Sequence, residues 1–180
     1  MELKACKIYL VTDEKACLEK DFYACIEEAI KGGVKIVQLR EKNISTKNFY
    51  EKALKVKEIC KNYGALFIIN DRLDIAQAVG ADGVHLGQSD MPIEKAREIL
   101  KDKFLIGATA RNVEEAKRAE LLGADYIGSG AIFGTNTKDN AKKLEMEELK
   151  KIVASVKIPV FAIGGINIDN VGILKNIGLQ

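Results

Sequence analysis

Seven short apolar runs, each followed by an amphipathic stretch, recur along the whole of this 180-residue chain. No other feature narrows the fold as far, because strands alternating with helical patterns are the signature of repeated βα units and a parallel sheet. The pattern predicts strands over 7–12, 34–40, 65–70, 83–86, 105–109, 126–129 and 159–163, rich in β-branched and aromatic residues and bounded by glycine or polar ones. Between them, spacings of four, three and four place Phe49, Ala53, Val56 and Cys60 on one helical face, which should cover the sheet. Gly33-Val34, Gly80-Ala81-Asp82-Gly83 and Gly123-Ala124-Asp125-Tyr126 each close a helix on glycine and enter a strand at once, so the turns on that side are tight.

Seven such units suit either a doubly wound open sheet or a (β/α)8 barrel, and strand length does not decide between them. No GxGxxG follows the first strand, which removes the main support for a dinucleotide-binding sheet. With 47% hydrophobic residues the chain buries one sizeable core, so a single domain, 1–180, is expected. The net charge of +2 leaves no electrostatic footprint for nucleic acid or a membrane surface. No apolar run approaches the ~20 residues that span a bilayer, and Met-Glu-Leu-Lys-Ala-Cys-Lys has no apolar segment behind its charges, so a cytoplasmic protein is expected. Cys6, Cys17, Cys25 and Cys60 form no CxxC pair and read as structural thiols of a reducing compartment.

In either fold the ligand site lies at the carboxyl ends of the strands, so the residues delivered there matter most. After strand two, a period of two puts Gln38, Arg40 and Lys42 on one face, and two cations there need either acidic neighbours or an anionic ligand such as a diphosphate. Strand three ends in Asn70-Asp71-Arg72 and strand four runs into Gly87-Gln88-Ser89-Asp90. The carboxylates of Asp71 and Asp90 are either helix caps or, beside phosphate oxygens, ligands for a hard cation such as Mg2+. Thr109 offers its hydroxyl to a site or to a turn. The run Gly128-Ser129-Gly130-Ala131-Ile132-Phe133-Gly134-Thr135-Asn136-Thr137-Lys138 suits a phosphate, or is a surface loop, and Gly164-Gly165 either lets a phosphate approach backbone N–H groups or makes a tight turn. The lone histidine, His85, falls inside strand four and reads as a core residue, which leaves no Ser-His-Asp or Cys-His arrangement.

Taken in order, Gln-Leu-Arg-Glu-Lys, Ile-Asn-Asp-Arg, Val-His-Leu-Gly-Gln-Ser-Asp, Gly-Thr-Asn-Thr-Lys and Ala-Ile-Gly-Gly-Ile resemble the thiamin phosphate synthase family, over residues 7–170. The resemblance implies a (β/α)8 TIM-type barrel, lacking its last βα unit in this chain, and with it a Gly-rich, serine-containing loop of the thiazole phosphate site. It implies a transferase that joins 4-amino-5-hydroxymethyl-2-methylpyrimidine diphosphate to 4-methyl-5-(2-hydroxyethyl)thiazole phosphate in thiamin biosynthesis, with release of diphosphate and a requirement for Mg2+. By similarity Gln38, Arg40, Lys42, Asn70 and Thr109 hold the pyrimidine diphosphate, and Asp71 and Asp90 hold the metal. Thr135, Thr137 and Lys138 contact the thiazole phosphate, Lys138 also lies near the diphosphate, and Gly165 gives a backbone amide. Arg40, Lys42 and Lys138 are then the catalytic cations. The rivals are a thiazole tautomerase-like isomerase of the same fold and a truncated, non-catalytic binder of a phosphate ligand. Arg111 stands where that isomerase is expected to use a histidine, which favours the synthase. The expected partners are small phosphorylated molecules, with homodimeric association, and neither nucleic acid nor membrane.

Overall fold

A computed structural model of the chain describes residues 3–134 and 143–179. The chain divides into two compact units, Met1–His85 with Ile99–Leu105, and Leu86–Glu98 with Ile106–Gln180.

The first unit contains β1 (Tyr9–Val11), α1 (Phe22–Lys31), β2 (Ile36–Leu39), α2 (Thr46–Tyr63), β3 (Leu66–Asn70), α3 (Leu73–Val79) and β4 (Gly83–Leu86, whose last residue counts with the second unit). Two of its helices, α1 and α2, begin where short polar side chains satisfy free backbone donors. Asp21 accepts from Ala24 N at 2.9 Å to open α1, and Ser45 accepts from Asn48 N at 3.2 Å to open α2. The face of α2 buried against the sheet is the one the spacing predicts, Phe49, Ala53, Val56 and Cys60. All four residues of β2 are buried, as in a parallel strand covered on both faces.

The strand pairings decide the topology. β1 pairs in parallel with β2, β2 with β3 and β3 with β4. A doubly wound sheet reverses direction at β1, so that its third or fourth strand returns to pair there. Here the third pairs with the second and the fourth with the third, which is the chain-order arrangement of a βα barrel.

The second unit contains α4 (Ile93–Leu100, whose last two residues count with the first unit), β5 (Leu105–Thr109), α5 (Val113–Leu121), β6 (Tyr126–Gly130), α6 (Met146–Ser155) and β7 (Val160–Ile163). β5 pairs with β6 and β6 with β7, again parallel and in chain order. Its core is alanine-rich, with Ala108, Ala110, Ala116, Ala119 and Ala124 packed among Ile127, Leu149, Ile152 and Val160. Small residues let helix and sheet approach closely. The same demand is acute at Gly107, where a Cβ would fall 2.0 Å from Cζ of the fully buried Tyr126.

The near-repeat Gly-Ala-Asp does the same work in each unit. Asp82 N donates to Phe67 O at 2.9 Å while the Asp82 carboxylate accepts from Phe67 N at 2.7 Å. Asp125 N donates to Ile106 O at 2.7 Å, and its carboxylate accepts from Ile106 N at 2.7 Å. Each aspartate thus satisfies both polar groups of one residue on the preceding strand, and fixes the entry of the next strand beside it.

Candidate active site

β2 delivers its strand-end residues to a densely hydrogen-bonded corner of the first unit. Gln38 is buried, and its Nε2 donates to the Tyr9 hydroxyl at 2.8 Å, so this amide is engaged within the sheet. Arg40 N donates to the buried Thr12 Oγ1 at 3.1 Å, which ties the end of β2 to the end of β1. The guanidinium is treated differently. Among the described residues, Arg40 Nε is buried with no hydrogen-bond partner, and so is Nδ2 of the buried Asn70.

These two donors belong together by register. Leu39 pairs with Ile69, and Arg40 and Asn70 are the next residues on their strands. Residues level on neighbouring parallel strands face the same side of the sheet. A buried donor left unmade costs about 1–3 kcal/mol, so two at one level mark a place shaped for an acceptor-rich ligand.

Asp71 follows Asn70 with φ 62°, a left-handed backbone uncommon for a residue with a side chain, and its N–H donates to His85 O at 2.9 Å. Its carboxylate pairs with the Lys42 ammonium. The N-cap position of α3 is Arg72, whose side chain makes no capping bond.

Glu41, between the two cations, turns to α2 and pairs with Lys52 at 2.5 Å. Lys52 also reaches Glu14 at 2.8 Å and lies 3.9 Å from the centre of the Phe22 ring. Burial alone would favour the neutral amine, but the Glu14 and Glu41 carboxylates, which accept from the ammonium, outweigh it and hold the Lys52 pKa above its ordinary value. Sequence reasoning passed over Lys52, although the signal was present. It stands three residues after Phe49 and four before Val56, inside the apolar stripe of α2, and a cation there needs a partner.

In the second unit, the Asp90 carboxylate accepts from Gly87 N at 2.7 Å, which closes the turn after β4. Gln88 Nε2 donates to the backbone oxygen of Thr109 at 2.5 Å, and the buried Ser129 hydroxyl donates to Ala110 O at 2.8 Å. Gly165, φ 68°, follows β7, and a Cβ there would lie 2.1 Å from Gly134 O. Only glycine fits, and the turn after β7 therefore lies against the residues that lead into the glycine-rich loop. Thr135, Thr137 and Lys138 lie outside the described residues. Among the described residues no group of three or more His, Cys, Asp or Glu side chains is gathered about one point.

Parallel βα units paired in chain order, with cations, an amide and carboxylates at the strand ends, define a TIM-type α/β barrel protein. Residues 8–180 match the family model described as thiamine monophosphate synthase. A thiamine-phosphate synthase of Fusobacterium nucleatum subsp. nucleatum is 87% identical over 180 residues, which cover 100% of this chain and 87% of that one. Its counterpart in Clostridium acetobutylicum is 59% identical over 164 residues, 91% of this chain and 78% of the other. A solved thiamine phosphate pyrophosphorylase from Pyrococcus furiosus superposes with a TM-score of 0.87 at 44% identity, covering 97% of this chain and 82% of that structure. An N-acetylmannosamine-6-phosphate 2-epimerase from Clostridium perfringens, 16% identical with a TM-score of 0.68, shares the fold alone. The chain belongs to the thiamine monophosphate synthase family.

Proposed function

We propose that this chain couples 4-amino-5-hydroxymethyl-2-methylpyrimidine diphosphate to 4-methyl-5-(2-hydroxyethyl)thiazole phosphate, giving thiamin phosphate and diphosphate. The observation that carries the reading is the pair of buried donors without hydrogen-bond partners among the described residues, Arg40 Nε and Asn70 Nδ2, at the ends of β2 and β3. They suit the oxygens of a diphosphate, and the names and identity of the relatives agree with that ligand.

The chemistry needs no general base. The thiazole nitrogen lone pair forms the new C–N bond to the pyrimidine methylene carbon, and the C–O bond to the diphosphate breaks with its electrons leaving on oxygen. An electron-rich aminopyrimidine supports positive charge at that methylene, so the displacement is dissociative. Charge then grows on the departing diphosphate, and stabilising it is the main catalytic task. Arg40 and Lys42 meet it from the first unit, Asn70 orients it, and Lys138 supplies a further ammonium. Gln38 shapes the wall of the pyrimidine side, and Thr109 adds a hydroxyl. Thr135, Thr137 and the Gly165 amide take the thiazole phosphate.

Mg2+, when bound, would neutralise charge on the diphosphate oxygens, with Asp71 and Asp90 as its carboxylate ligands. Asp71 fits such a role, since it already accepts the Lys42 ammonium. A cytoplasmic location accords with four cysteines that form no disulfide among the described residues. No helix among the described residues is long and apolar enough to cross a membrane. A homodimer completes the proposal, and size exclusion checks it.

The decisive experiment mixes both substrates with Mg2+ and follows thiamin phosphate and diphosphate together. Equal amounts of the two products, lost on chelation of the metal, are expected. Binding of the pyrimidine diphosphate without turnover would favour a non-catalytic binder, and isomerisation of a thiazole substrate would favour the tautomerase.

A further inference from the structure

The end of β2 places a carboxylate between two cations, Arg40-Glu41-Lys42, yet among the described residues Glu41 makes no ion pair with either neighbour. It is held instead by Lys52, whose side chain is 12% exposed against 11% for Glu41. The same ammonium bonds Glu14, from the turn Glu14–Cys17 after β1, and is fixed over the Phe22 ring of α1. One amine therefore gathers the segments after β1 and β2 onto α2. A pair so withdrawn from water interacts strongly, and removal of one member leaves the other as an uncompensated buried charge.

We propose that Lys52 is a positioning residue for the diphosphate site: by sequestering Glu41 it keeps that carboxylate from competing with the ligand for Arg40. The proposal rests on the reading that Arg40 binds the diphosphate. Its physical basis is competition. A carboxylate and a diphosphate oxygen offer the guanidinium the same kind of charge-assisted hydrogen bond. Glu41 is covalently adjacent to Arg40, so a released Glu41 acts at high effective concentration. Lys52 opposes this by holding Glu41 in an ion pair on the α2 side, and among the described residues Arg40 Nε has no hydrogen-bond partner.

The test compares Lys52→Met, Lys52→Arg and the double variant Lys52→Met/Glu41→Gln. Steady-state kinetics with each substrate varied in turn are set beside calorimetric binding of inorganic diphosphate with Mg2+. Lys52→Met should raise the KM for the pyrimidine diphosphate and the Kd for inorganic diphosphate about tenfold or more, with the KM for the thiazole phosphate held within about twofold. Lys52→Arg should recover most of the loss. The double variant should bind diphosphate within about threefold of the wild type, because it has no competing charge. Thermal unfolding separates this role from plain stabilisation. A Lys52→Met chain with lowered stability but unchanged diphosphate affinity would overturn the proposal, as would a double variant as weak as the single one. Should Lys52→Met not fold, the double variant carries the test, and diphosphate binding far weaker than wild type would count against competition. Failure of the wild-type chain to bind diphosphate would instead overturn the assignment of the site itself.

Discussion

Among the described residues Arg40 keeps a buried Nε with no hydrogen-bond partner, and Asn70 beside it a buried Nδ2. A protein at rest gains nothing from this arrangement, since each unmade bond costs about 1–3 kcal/mol. Arg40→Met should therefore leave stability unchanged or slightly raised in urea unfolding, while kcat/KM for the pyrimidine diphosphate falls about a hundredfold or more. Asp71 holds a left-handed backbone with φ 62°, a conformation that asparagine also tolerates. Asp71→Asn should accordingly fold, by far-UV circular dichroism, and lose roughly a hundredfold or more of its Mg2+-dependent turnover across a metal titration.

At the scale of elements, the Gly-Ala-Asp repeat was legible in the sequence as a tight turn into a strand. That each aspartate carboxylate also accepts the N–H of a residue on the preceding strand was not, because the partners lie 15 and 19 residues away. Asp82→Ala and Asp125→Ala each leave one strand N–H without its acceptor. Each should cost about 1–3 kcal/mol in urea unfolding with turnover retained in the folded protein.

The stripe of α2 carries a second consequence. Burial, reinforced by the Asp82 carboxylate, pushes the Cys60 thiol up to about 12 from an ordinary 9.0. Between those values the unfolded chain has released this proton and the folded chain has not, so stability falls as pH rises through the window. The loss is roughly 1 kcal/mol per pH unit. Cys60→Ala should flatten the alkaline decline between pH 9 and 11 relative to wild type, as read from denaturant midpoints.

For the whole molecule, a ligand that binds only the folded chain must stabilise it. Inorganic diphosphate with Mg2+ at ~100 times its Kd should add about 2.7 kcal/mol to wild-type stability, measured by thermal unfolding, and almost nothing to Arg40→Met.

The alternation of apolar runs determined the seven strands, which agree with the observed bounds to within two residues at either end. A period of two put Gln38, Arg40 and Lys42 on one face, the end of strand three named Asn70 and Asp71, and the ordered motifs indicated the family. Local rules suffice there, because strand boundaries, helix faces and caps depend on residues a few positions apart. Topology was different: doubly wound sheet and barrel share one sequence pattern, and only the pairing of β3 with β2 and of β4 with β3 separated them. So was the partnering of charges. Glu41 has cations on both sides in the chain and selects neither, because α2 packs Lys52 against it from 11 residues away. A side chain's nearest charge is set by which elements pack together, and that is decided in three dimensions.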